Sequence, residues 1–263
     1  MNLLLPALLA ILAYALAIAL QWRELRGQPA GPPRALWFAA IVAVAAHGAT
    51  WWQQLVTPNG YDFGIFVVAS TTNWIAVLLV IVFALRLPIA NLLLLVCPPA
   101  LLALAVSLLP IAHSNVLTKI EPEHIVPSLL AYSVLFIAAC QAVLLAVQER
   151  RLRNSKSLLG MRLLPPLQVM ENLLFELLWV GLVLLSVAIG TGLFYLDDMF
   201  AQHVVHHAVL SMSSWLVFAV LLWGRYTLGW RGSTAIRWTI VGYLILALAY
   251  FGSKAVVELL LRR

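Results

Sequence analysis

Residues 125–147 read IVPSLLAYSVLFIAACQAVLLAV, a run with no Asp, Glu, Lys or Arg anywhere in it. As a helix it rises about 34 Å at ~1.5 Å per residue, enough to cross a hydrocarbon core of about 30 Å. The stretch therefore predicts a transmembrane helix. Reading outward in both directions gives further apolar runs at about 2–21, 34–54, 63–84, 88–109, 171–194, 204–224 and 236–260. The punctuation between them agrees: Gly27, Pro29, Gly31, Pro32 and Pro33 fill the first gap, Pro58, Asn59 and Gly60 the second, and Pro165 and Pro166 precede the sixth run. Pro98 and Pro99 fall inside the fourth run and predict a kink there.

Composition leads to the same place. The chain has 263 residues, 63% hydrophobic and 10% charged, with a mean hydropathy of +0.99, which is outside the range of water-soluble domains. With only about 60 residues in obvious loops there is no room for a sizeable soluble domain. The expected fold is all-α: one polytopic integral membrane domain over 1–263, a bundle of about eight transmembrane helices in contact with lipid. The sequence opens Met-Asn-Leu-Leu-Leu with no basic residue before the first apolar run. It lacks the basic stretch of a cleavable signal peptide, so a retained first helix is expected.

Cytoplasmic loops keep Lys and Arg, and here the asymmetry is strong. Arg23, Arg26 and Arg34 lie in the first gap, Arg86 in the third, Arg150, Arg151, Arg153, Lys156 and Arg162 in the fifth, and Arg225, Arg231 and Arg237 around the seventh. The alternate gaps hold Lys119 alone, while Lys254, Arg262 and Arg263 belong to the last helix and tail. Both termini are expected outside. The net charge of +6 follows from these loop residues, so it fixes topology and does not indicate nucleic acid as a partner.

Cys97 and Cys140 are isolated within apolar runs, which excludes a Cys-x-x-Cys redox pair, a disulfide framework, a thiolate zinc site and a Cys-x-x-Cys-His haem box. No nucleophile elbow, phosphate loop or metalloprotease pair supports a hydrolase or an ATP-driven pump. Glu171 and Glu176 suit the N-terminal part of the sixth helix, and Ser211, Ser213 and Ser214 suit close helix packing.

Histidine is the informative residue type, since an ionisable group near the hydrocarbon needs a partner or a ligand. All six histidines fall on the outer side of the expected topology: His113 and His124 in the fourth gap, His203, His206 and His207 at the seventh helix, and His47 within the second. His47 is thirteen residues from Arg34 and so ~20 Å from the inner surface. It is either a ligand or a hydrogen-bond partner of nearby Thr50, Gln53 or Gln54. His203 and His207 are one helical turn apart, whereas His206 and His207 point about 100° apart. Two chemistries fit. One is haem, held by neutral imidazoles in a slot lined by Trp51, Trp52, Phe63, Phe66, Trp74, Phe194, Tyr195 or Trp215. The other is a divalent metal, held by His203 and His207 with Asp197, Asp198 or His124.

Three stretches carry a family resemblance. HIVPSLLAYSVLFIAACQAVLLAVQERRL from His124 resembles the His-then-Ser-Tyr helix of the membrane cytochrome c assembly proteins, the CcsA, CcmC and HemX group, and within it the YpjD branch. GTGLFYLDDMF, VLSMSSWLVFAVLLWGRYTLGWRG and GYLILALAYFGSK resemble the last three helices of that group, and HGATWWQQLVTPNGYDFGIFVVASTTNW its second-to-third helix region. The resemblance implies an eight-helix haem-handling protein of the bacterial inner (cytoplasmic) membrane, with haem as cofactor and cytochrome c assembly components as partners. His124 falls on an outward-facing haem-ligand position, and His206 and His47 on further histidine positions. An outer pair, His124 with His206, is expected to hold the iron while His207 faces elsewhere.

The departures from the family pattern also matter. The synthases of the group carry a Trp-rich segment ending in Trp-Asp where this chain has YLDDMFAQHVVHH, and a His where Trp223 stands. The expectation is accordingly a non-enzymatic role in cytochrome c-type biogenesis or haem homeostasis, without haem-attachment activity. The alternatives are a HemX-type regulatory protein that binds no haem stably, or a transporter of a small solute or metal.

Overall fold

Large leucines on one side and alanines on the other define the first helix. In α1 (Leu4–Leu25) the side chains of Leu4, Leu5, Leu8, Leu9, Leu12 and Leu16 are exposed, while Ala7, Ala10, Ala13, Tyr14, Ala17 and Gln21 are buried. A water-soluble helix would show the reverse. In lipid, bulk apolar residues face the tails and small residues let backbones approach one another. The computed structural model describes residues 3–28, 32–109, 116–118, 121–153, 165–195 and 202–255.

Each apolar run is a helix, giving α2 (Pro33–Leu55), α3 (Ile65–Ala84), α4 (Leu93–Ser107), α5 (Pro122–Arg153), α6 (Leu167–Tyr195), α7 (Gln202–Leu228) and α8 (Ser233–Ala247). A short 3₁₀ turn, Ala90–Leu92, leads into α4. The last helix continues through a π-helical turn, Leu248–Gly252, into Ser253–Ala255. Among the described residues, eight helical segments are long and apolar enough to cross a membrane. The chain is an all-α polytopic bundle. Several helices outrun their apolar cores: α5 extends to Arg153 because Gln148, Glu149 and the arginines after them are good helix formers that carry the ladder on past the hydrocarbon. α4 runs continuously across Pro98 and Pro99. Within a bundle, neighbouring groups can satisfy the carbonyls that proline leaves without an amide donor.

The helices gather into two compact units, α1–α4 with the short strands, and α5–α8. In the first, α1 packs on α2, α2 on α3, α3 on α4, and α4 back on α1. In the second, α5 packs on α6, α6 on α7, α7 on α8, and α8 back on α5. Each is thus a ring of four consecutive helices, the arrangement that short antiparallel connections favour.

A small antiparallel sheet, absent from the expected all-helical picture, trims the loops of the first unit. Its strands are β1 (Val56–Thr57), β2 (Gly60–Asp62) and β3 (Val116–Leu117). Val56 pairs with Tyr61, Thr57 with Gly60, Tyr61 with Leu117, and Asp62 with Val116. Pro58 and Asn59 make the turn, as their preferences dictate. Gly60 has φ +139° and a Cβ there would stand 2.4 Å from the Leu117 carbonyl oxygen, so no other residue type fits.

At the basic end of the second unit, Glu171 and Arg225 form an ion pair at 3.0 Å. The Arg225 guanidinium also donates to the Trp230 carbonyl at 3.3 Å and lies over the Phe175 ring, and the Gly232 amide donates to the same Glu171 oxygen. Glu171 is therefore no helix-terminal acid, because α6 already begins at Leu167. It ties α6 to α7 and to the turn before α8.

Candidate functional site

His124 opens α5 and is half-buried. Its Nδ1 lies 2.9 Å from the carbonyl oxygen of Ala188 in α6. A carbonyl only accepts, so Nδ1 carries the proton and donates. In the neutral ring this leaves Nε2 with its lone pair available. That is the arrangement in which an outer-shell backbone carbonyl orients a metal-ligating histidine. The ring rests against α6 where residue 192 is glycine: a Cβ there would meet Cε1 at 2.9 Å and Nδ1 at 3.2 Å.

His207, in the first turns of α7, is half-buried and close enough to His124 and Lys254 to interact electrostatically with both. Its Nδ1 is 3.2 Å from Ser211 Oγ, one turn on. Its ring meets Tyr250 edge-on with centroids 5.9 Å apart. Tyr250 in turn packs on Tyr132 and Phe251, and the buried Tyr132 hydroxyl neighbours Ser211. Tyr250 and Phe251 both lie within the π-helical turn at this end of α8; such insertions recur at functional sites. His206 is exposed and has no hydrogen-bond partner among the described residues. The structure therefore turns His207, and not His206, toward His124. The 100° separation of adjacent helical residues was legible in the sequence; which of the two faces inward depends on the packing of α7 on α8 and was not.

His47 belongs to the first unit and is fully buried. Its Nδ1 lies 3.0 Å from the Tyr14 hydroxyl of α1, and its Nε2 lies 2.8 Å from Ser70 Oγ of α3. Both ring nitrogens are occupied, so His47 joins three helices through polar contacts. The partners expected from sequence are engaged elsewhere: Thr50 donates to the Ala46 carbonyl, Gln53 to the Ala49 carbonyl, and Gln54 to Ser107. Trp51 and Trp74 stack on each other at 5.0 Å.

His113, Asp197 and Asp198 lie outside the described residues, as does the side chain of His203. Among the described residues no three His, Cys, Asp or Glu side chains are grouped as a metal site. The aromatic neighbours that sequence reasoning missed are Tyr132, Tyr250 and Phe251. Their one sequence signal is the Tyr-Phe-Gly step at 250–252, which does not announce a π turn.

Taken with this fold, residues 36–261 match the cytochrome C assembly protein family, and the chain belongs to it. Among curated relatives, the inner membrane protein YpjD of Escherichia coli strain K12 is 33% identical over 261 residues, covering 97% of this chain and 98% of its own length. The YpjD of Escherichia coli O157:H7 matches to the same extent. A protein of Azospirillum brasilense named as an uncharacterized 28.8 kDa protein in a nifR3-like 5' region is 32% identical over 140 residues, 52% of each chain. No solved structure matches the chain.

Proposed function

We propose that this is a multi-pass inner-membrane protein that handles haem in cytochrome c-type biogenesis or haem homeostasis, with no haem-attachment activity of its own. One observation carries the reading: Nδ1 of His124 donates to the Ala188 carbonyl, which leaves Nε2 as a lone-pair donor at the end of the unit where His207 also sits. The donor set fits a haem iron, for which neutral imidazole is a common axial ligand. His124 and His207 are the residues that would hold it; Ala188 and Gly192 orient the first, and Ser211 and Tyr250 flank the second. When bound, haem would supply an iron whose redox state these nitrogens tune. The chain's own part is to bind and orient the group at the membrane surface for transfer or sensing. The names of the YpjD relatives support the inner membrane as its location.

The test is an absorption spectrum of the purified full-length protein from cells supplied with a haem precursor. A Soret band with resolved low-spin α and β bands is expected. A protein that takes up no haem in cells or on titration with hemin sinks the proposal.

A further inference from the structure

The second unit carries its charge unevenly. Arg150, Arg151 and Arg153 close α5, Arg225 closes α7, and Arg231 and Arg237 flank the start of α8. Lys254 is the one described basic residue of this unit at the histidine end. It lies two residues beyond the π-helical turn, which ends at Gly252. Its Nζ lies 5.3 Å from the centroid of the Tyr250 ring, the same ring that meets His207 edge-on, and it is within electrostatic range of His207. Its side chain is half-buried, so the ammonium is held beside an aromatic wall and does not wave in water.

An imidazole nitrogen, an aromatic wall and an ammonium gathered at one helix end select for a flat apolar ligand that carries a carboxylate. The rings take the apolar face, the nitrogen takes a metal if one is present, and the ammonium takes the carboxylate through a charge-assisted hydrogen bond. We propose that Lys254 is the carboxylate-recognising residue of this site, pairing with a propionate arm of the bound tetrapyrrole. The inference rests on the haem-handling reading above and adds what the site recognises besides iron.

The experiment titrates the purified full-length protein with three probes: hemin, hemin dimethyl ester, in which both carboxylates are masked, and iron-free protoporphyrin IX. Wild type is expected to prefer hemin over its ester. Lys254→Met is expected to weaken hemin and protoporphyrin IX by about tenfold while leaving the ester unchanged, and Lys254→Arg to stay within about threefold of wild type. His124→Ala is expected to weaken hemin alone, since protoporphyrin IX offers no metal. If wild type binds hemin and its ester equally, or Lys254→Met keeps the wild-type preference, the Lys254 assignment is overturned and the haem reading stands. If wild type binds none of the three, both fall. The wild-type hemin-to-ester ratio needs no variant, so a misfolded Lys254→Met would not shield the proposal.

Discussion

A β-carbon on residue 192 would stand 2.9 Å from Cε1 of His124, so the α6 backbone both accepts the histidine's proton at Ala188 and leaves room for its ring at Gly192. Gly192→Ala is therefore expected to displace the ring and lower haem affinity about 10–100-fold, as loss of an outer-shell contact does. Gly190→Ala is the matched control, because a Cβ there meets nothing within 4 Å. Hemin titration with circular dichroism on both variants checks it. Equal affinities for the two would mean that the close approach has no functional weight.

His207 and His206 part company on the structure. Replacement of His207 by Ala should convert a low-spin spectrum to high-spin or abolish haem retention, whereas His206→Ala should match wild type, since His206 is exposed and His207 faces Tyr250 and Ser211. The reverse result would restore the pairing that the sequence alone suggests.

The Tyr14–His47–Ser70 link is expected to act on stability and not on haem. His47→Ala removes a fully buried side chain and strands two hydroxyl partners, which corresponds to about 2–4 kcal/mol. Tyr14→Phe or Ser70→Ala each removes one partner, about 1 kcal/mol. Thermal unfolding in detergent orders the three variants, with haem spectra unchanged; loss of the Soret band in His47→Ala with an unaltered melting curve would reassign His47 as a ligand.

For Glu171 and Arg225, whose side chains are 11% and 28% exposed, a double-mutant cycle with Glu171→Gln and Arg225→Gln should give a coupling of about 1–2 kcal/mol. Additive losses would show that the pair forms no coupled contact.

Reporter fusions after Arg153 and Arg231 are expected to read cytoplasmic, and fusions after Asn59 and Asp198 outer, from the basic residues of the alternate loops. A cytoplasmic signal after Asn59 would put the His124 end inside and remove it from an outer-surface role.

The helices were legible because a hydrocarbon layer accepts little besides long apolar runs, and residues 125–147 announce themselves by that rule. Helix ends were less so: hydropathy stops at Val147, whereas helix propensity carries α5 on to Arg153. The strands were missed because two- and three-residue segments owe their pairing to a third segment about 55 residues further on, with Tyr61 facing Leu117. At the site, His124 could be singled out by residue type and position. Its proton's destination could not, since Ala188 is a backbone acceptor that no side-chain pattern reveals. The choice between His206 and His207 likewise depended on how α7 packs on α8, which no side-chain pattern within α7 discloses.

The π-helical turn at 248–252 makes the end of the last helix sensitive to winding in a way its composition hides. Rewinding Leu248–Gly252 as ordinary α-helix with no residue lost would turn everything beyond by about one residue's rotation, ~100°. Lys254 would swing off the Tyr250 ring although every side chain in the segment was kept. Substitutions along its lipid face, at Val241, Leu244 and Leu248, are by contrast tolerable as long as they stay apolar. In descendants of this chain, the lipid face of α8 is thus free to drift in spelling, while the winding of 248–252 is not free to change.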